Sequence, residues 1–149
     1  MEYRIAAAGI VIHHDKILLV RYRDMQGNSF LVGPGGGVQP EEDLPRAVVR
    51  ETKEETGLTV MPKHLLFVED LLSLRCRMIK MWFFCEFVEG ELVKTPEAAD
   101  EGIVDVGWYR KDQLRQEIVY PTVIMSIDWN LLLCDCWQVQ YLGLGRAQF

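Results

Sequence analysis

The chain is expected to fold as a single α/β (α+β) domain over residues 1–149, a mixed sheet flanked by helices. Three observations lead there. Strand-like stretches lie on both sides of one short helical segment, a glycine-rich loop feeds directly into that helix, and no repeat, low-complexity tract or linker divides the chain.

Taken in order, YRIAAAGIVI (3–12) and KILLVRYR (16–23) read as strands, and the HHD between them is short enough for a hairpin turn. DMQGNS (24–29) is a loop and FLV (30–32) a short strand. GPGGGVQPEED (33–43) is a Gly/Pro loop leading into a helix from about Leu44 to Thr56, with Asp43 as its N-cap and Gly57 as its left-handed stop. LLFVEDLLSL (65–74) and RMIKMWFFCEFVEG (77–90) supply two further strands. EGELVKTPEAADEG (89–102) is mostly loop, IVDVGWY (103–109) a strand, and RKDQLRQ a short helical turn. A second helix is expected over TVIMSIDWNLLLCD (122–135) and a last strand over WQVQYLG (137–143).

Composition narrows the function. Hydrophobic residues make up 49% and charged residues 26%, an ordinary globular balance. The net charge is −6 and no Lys/Arg-rich run occurs, which argues against a nucleic-acid footprint. A polyanionic substrate would therefore need local basic groups or a metal cation. No apolar run reaches the ~18 residues of a membrane span, and MEYRIAAAGIVIHHDK alternates like a strand without a basic leader. The four cysteines, Cys76, Cys85, Cys134 and Cys136, lack paired C-x-x-C spacing; CDC at 134–136 could bind a soft metal, but buried thiols are expected. A cytoplasmic, reducing setting and no membrane partner follow as expectations.

RETKEETG (50–57) concentrates like charges in one short helix. Carboxylates three and four apart cost roughly 0.2–0.5 kcal/mol per pair, so their placement needs a reason. At ~100° per residue, Leu44, Ala47 and Val48 share one arc, and the same arc continued meets Glu51, Glu54 and Glu55. Arg46 and Lys53 fall opposite, and Val49 points outward. A merely solvated acidic face would lie opposite Leu44 and Val48. Carboxylates turned toward the protein need compensation, and a hard divalent cation with oxygen ligands supplies it. Arg50 could instead pair with one of the three, or with Glu54 at i+4, so an ion-pair cluster stays open. Gly35, Gly36 and Gly37 allow close backbone approach, and together with inward carboxylates they suggest a phosphate-and-metal site. It is not a Walker-type loop, because no Gly-Lys-Ser/Thr follows.

Gly36, Glu42 and Arg50-Glu51-Thr52-Lys53-Glu54-Glu55-Thr56-Gly57-Leu58 resemble the Nudix box, GX5EX7REUXEEXGU, where U is a bulky aliphatic residue. Every fixed position agrees; the departures are Thr52, usually aliphatic, and Glu41, where Gly commonly precedes the loop glutamate. The resemblance implies the α/β/α sandwich of Nudix hydrolases and hydrolysis of a nucleoside diphosphate linked to another moiety, with Mg2+ or Mn2+. It implies Glu54 and Glu55 as metal ligands, with Glu51 a further ligand or the group that takes a proton from water. It implies that Arg50 orients Glu51, that Glu42 braces the loop, and that Gly57 closes the motif. The Gly35–Gly37 backbone would supply a carbonyl to the metal at Gly36 and border the substrate at Gly35 and Gly37.

Outside the box, DEGIVDVGWY resembles the family's surroundings, and Glu101 is the first choice for an extra metal ligand, ahead of Glu97 and Asp100. A solvated acidic loop is the competing reading. Arg21 and Arg23 share one face of a strand and are candidates for a substrate phosphate. MWFF (81–84) is expected in the core, with base stacking as the alternative. His13, His14 and His64 have no evident role. The apolar C-terminus, 129–149, is expected to complete the core and to offer a homodimer contact. The leading substrate is a small-molecule nucleotide, a (deoxy)nucleoside triphosphate, oxidised ones included, with ADP-ribose or another nucleotide sugar second. A non-catalytic nucleotide sensor is the alternative of another kind; intact Glu51, Glu54 and Glu55 speak against it.

Overall fold

The structure, a computed structural model, describes residues 1–147, so the last two residues of the apolar C-terminal stretch lie outside it. The strands are β1 (Glu2–His13), β2 (Lys16–Arg23), β3 (Ser29–Val32), β4 (Gly35–Gly37), β5 (Leu58–Leu72), β6 (Cys76–Gly90), β7 (Ile103–Arg110), β8 (Val119–Tyr120) and β9 (Gln140–Arg146). The helices are α1 (Leu44–Thr56), α2 (Pro96–Asp100) and α3 (Trp129–Leu132).

Alternation along β1 sets the layers. Successive side chains leave a strand on opposite faces, and Ala8 and Ile10 enter one core while Ala7 and Val11 enter another. On the second face α1 packs Ala47 and Val48 against Ala7, Val11, Val60 and Cys85. Full burial of Val48 stabilises by about 1.5–3 kcal/mol relative to exposure. On the first face Ile124, Trp129 and Leu132 cover Ile10, Leu66 and Trp82. The expected mixed sheet flanked by helices is the observed architecture. Strand order is β8-β3-β2-β1-β6-β5-β9, with β4 added on β1 and β7 on β2. Parallel pairs (β1–β6, β3–β8, β5–β9) mix with antiparallel ones.

The local signals behave as their chemistry demands. His14 and Asp15 turn the β1–β2 hairpin with φ of 51° and 61°, the paired left-handed geometry that matches strand twist. Asp43 Oδ1 accepts the Arg46 N–H at 2.9 Å and starts α1; Gly57, at φ 78°, ends it by donating its N–H to the Lys53 carbonyl.

Several expectations need correction. Gly35–Gly37 is not loop but β4, antiparallel to Ala6–Ala8. A Cβ at Gly35 would stand 2.4 Å from the Ala8 Cβ, so glycine is what permits the pairing. β5 begins at Leu58, well before residue 65, and Pro62 is tolerated because β9 pairs β5 only from Phe67 onward. TPEAAD contains α2, capped by Thr95. The long helix over 122–135 does not form. A 3-10 turn at Thr122–Met125 stops at Ser126, Asp128 caps a separate α3, and the Trp129 indole donates to the Ile124 carbonyl. The last strand runs from Gln140 rather than from residue 137. Cys134 and Cys136 are joined by a disulfide and are not buried thiols, whereas Cys76 and Cys85 are buried and free. Among the described residues no helix is long and apolar enough to cross a membrane.

Candidate active site

The last two turns of α1 carry the carboxylates, and their burial follows the helical arc. Glu51 is 6% and Glu55 1% exposed, whereas the Glu54 side chain is 37% exposed and Lys53 and Arg46 face solvent. β4 makes this possible. A Cβ on Gly36 would lie 2.6 Å from the Glu51 carboxyl carbon, so the bare backbone lets that carboxylate reach the sheet edge. The Gly35 N–H donates to Glu55 Oε2 at 3.3 Å.

One guanidinium ties the motif together. Arg50 donates to both oxygens of Glu42, at 2.7 and 2.9 Å, to Glu51 Oε1 at 2.9 Å, to Glu54 Oε2 at 3.3 Å and to the Gly37 carbonyl at 3.0 Å. The Glu42 fork is bidentate, and those Arg50 bonds pull the Glu42 carboxyl down to about pKa 2. Glu42, by also accepting the Gln39 N–H, braces the loop. The ion-pair cluster left open by the sequence is therefore present, yet it cannot neutralise the site, because Glu55 and Glu101 lie outside Arg50's bonds.

Glu101 enters from a distant segment. Thr95 caps α2 and also donates its hydroxyl to the Glu54 carbonyl, clamping α2 to the end of α1. Glu101 follows directly as the C-cap of α2. Glu51, Glu54 and Glu101 each bring one oxygen within 4.8 Å of the others. Glu97 and Asp100 are exposed and stand outside this trio. Burial pushes the Glu55 carboxyl up to about pKa 9, with repulsion from Glu101 and Glu51 adding to it. Burial also raises Glu51, opposed by Arg50, and raises Glu101, with Glu54 adding to it.

The donor set fits a hard cation. Glu51 Oε2 and Glu55 Oε1 are buried without a hydrogen-bond partner among the described residues. A buried carboxylate oxygen left unpartnered costs on the order of 1–3 kcal/mol or more, and a divalent cation with oxygen ligands relieves that cost.

Beside the carboxylates lies a cavity of about 560 Å³, bordered by Arg4, Tyr22, Gly36, Glu51, Lys80 and Glu101 among others. The structure does not bring Arg21 and Arg23 to it. Arg21 makes a two-pronged pair with Glu117, at 2.8 and 3.1 Å, and reaches Ser29; Arg23 is exposed. Because strand side chains alternate, Tyr22 between them takes the cavity position. Lys80 and Tyr22 escaped the sequence reading. The one signal for Lys80 was a lone cation inside the apolar run MIKMWFF (78–84). Trp82 and Phe84 of that run lie in the core, as expected. His64 is spent on the Leu132 carbonyl, and His13 stacks on His14 at the hairpin.

The chain matches the NUDIX domain family over residues 3–125. It is 34% identical to an ADP-ribose pyrophosphatase of Methanocaldococcus jannaschii over 68% of this chain and 62% of that protein. It is 28% identical to the 8-oxo-dGDP phosphatase NUDT18 of Mus musculus over 81% of this chain and 36% of that protein. The chain thus spans less than two thirds of the length of either relative. A crystal structure of a MutT NUDIX hydrolase from Burkholderia pseudomallei superposes with a TM-score of 0.69 at 25% identity, covering 84% of this chain and 96% of that one. With the match running from the first strand to the turn after β8, and the motif lodged where the buried carboxylates are, the chain belongs to the NUDIX family.

Proposed function

We propose that the chain hydrolyses the pyrophosphate linkage of a nucleoside diphosphate joined to a further group, with Mg2+ or Mn2+ as cofactor. The observation that carries this is the convergence of Glu51, Glu54 and Glu101 on one another, with Glu51 and Glu101 bordering the cavity and buried oxygens of Glu51 and Glu55 lacking a donor. Glu51, Glu54, Glu55 and Glu101 would hold the metal, with the Gly36 backbone beside them. Bound there, the metal would lower the pKa of water and neutralise charge on phosphate oxygens during in-line displacement.

The chain's own groups supply the rest. Glu51, desolvated at the cavity wall, would serve either as a further metal ligand or as the group that takes a proton from the attacking water. Arg50 holds Glu51 in position and is itself fixed by the Glu42 fork. The Gly35–Gly37 backbone borders the cavity, so phosphate oxygens can lie close to it. Tyr22 offers a ring to the nucleotide.

The leading substrate is a (deoxy)nucleoside triphosphate, oxidised ones included, cleaved to nucleoside monophosphate and pyrophosphate. ADP-ribose is the second reading, favoured by the archaeal relative's named activity. We place the activity in the cytoplasm. Exposed Tyr141 and Leu144 on β9 support a homodimer contact. The test is turnover of a panel of nucleoside triphosphates, oxidised purine nucleotides, ADP-ribose, sugar nucleotides and dinucleoside polyphosphates with Mg2+, read as released monophosphate. Binding of one of them without metal dependence, and no turnover of any, would favour a nucleotide sensor instead.

A further inference from the structure

Accounting for the cations around the cavity leaves one unspent. Arg50 is committed to Glu42, Glu51, Glu54 and Gly37, Arg21 to Glu117 and Ser29, and Arg4 to both oxygens of Glu2 at 2.8 and 3.2 Å. Lys80 borders the cavity, and among the described residues it has no ion pair and no side-chain hydrogen bond. Its register partner Glu69 gives a carboxylate oxygen to the Trp82 indole N–H at 2.8 Å instead. The Lys80 ammonium lies 4.5 Å from the Trp82 ring centroid, a contact that holds the cation without consuming its three N–H donors.

Its place in the sheet is equally suggestive. Lys80 is in register with Ala6 of β1, and Ala6 with Gly37 of β4. In-register residues of neighbouring strands face the same side, about 4.8 Å apart per strand. A row of lysine, alanine and glycine thus crosses the cavity wall, and the two small residues leave open the space between the ammonium and the glycine-rich strand. Glu51 and Glu101 border the same cavity.

We infer that Lys80 is a substrate-binding residue, its ammonium taking the phosphate oxygens of the bound nucleotide that the carboxylate-held metal leaves uncompensated. This rests on the reading that the cavity receives a pyrophosphate-bearing nucleotide. A compact ammonium is suited to this role, because it binds phosphate as a point charge without demanding fork geometry.

Steady-state kinetics and binding decide it. With the fastest substrate of the panel, Lys80→Met raises KM by about 10- to 100-fold, the effect of losing one charge-assisted hydrogen bond, while kcat changes far less. Lys80→Arg recovers part of the loss, and Lys94→Met, an exposed loop control, leaves KM unchanged. Metal-free affinity for α,β-methylene-ADP, measured by calorimetry, falls in Lys80→Met by a similar factor. On the wild-type chain, saturating α,β-methylene-ADP protects Lys80 from acylation, read by mass spectrometry. This last measurement stands even where Lys80→Met does not fold. Unchanged KM and analogue affinity in a folded Lys80→Met variant overturns the inference, as does unchanged Lys80 acylation or a wild type that does not bind the analogue. Lys80 protection in a wild type that hydrolyses nothing in the panel would retain the binding role and reject the hydrolase reading.

Discussion

Replacing Gly36 by alanine tests how closely the β4 backbone must approach the Glu51 carboxylate. The new methyl would stand 2.6 Å from Glu51 Cδ, 2.6 Å from Oε1 and 2.8 Å from Oε2. Unbonded heavy atoms settle at about 3.5–4.0 Å, so the Glu51 carboxylate has to retreat by roughly 1 Å. Its Arg50 bond, 2.9 Å long, constrains that retreat. A misplacement of about 1 Å in a reacting group can lower turnover by about 10²-fold. Stability should change much less, because Gly36 needs no left-handed φ and alanine removes about 0.4–1 kcal/mol of unfolded-state freedom, offsetting part of the clash. The assay is kcat with saturating nucleotide and Mg2+, paired with thermal melting. Gly145→Ala, whose Cβ meets only ordinary contact at 3.5 Å, is the control. A Gly36→Ala variant with wild-type kcat would refute the claim that the glycine exists to admit Glu51.

Three further outcomes are expected. Glu54→Gln lowers kcat by about 10²-fold or more through lost metal ligation with Tm nearly unchanged, since its side chain is partly exposed; retained activity in a folded variant removes it from the ligand set. Mg2+ raises Tm and a chelator reverses the rise, by about 2.7 kcal/mol at a hundredfold excess over Kd, or roughly 5–10 °C for a chain of this size; a melting curve indifferent to Mg2+ would contradict the buried unpartnered oxygens. Glu42, ordinarily titrating near about 4.3, is held at about 2 by Arg50, so its contribution to stability is present above the ordinary value and fades as pH falls from there toward 2. Glu42→Gln should therefore flatten the dependence of Tm on pH in that window, and an unchanged slope would show that the Arg50 fork does not persist in solution.

The helical motif was legible because its chemistry is contiguous. Glu51, Glu54 and Glu55 lie within two turns, so periodicity alone placed them on the arc of Ala47 and Val48, along which Glu51 and Glu55 are buried and Glu54 is partly exposed. Asp43 and Gly57 were legible for the same reason, each acting on residues three or four positions away. Over 122–135 the apolar spacing looked helical, yet the side-chain acceptor of Asp128 starts a separate helix. Arg21 and Arg23 were read as sharing one strand face, a candidate for meeting a substrate phosphate, whereas Tyr22 on the other face borders the cavity: alternation was visible in the sequence, but nothing local says which of two faces meets the cavity.

The amino-acid sequence on its own determined the caps, the strand alternation, the helix arc and the motif, because each depends on interactions reaching only a few residues along the chain. Tertiary structure alone decided that Lys80 would border the same cavity as Glu51 and Glu101, that β4 would pair with β1, and that Arg21 would be consumed by Glu117. Those outcomes depend on strand register and on groups tens of residues apart, where one position of slippage sends every side chain to the opposite face.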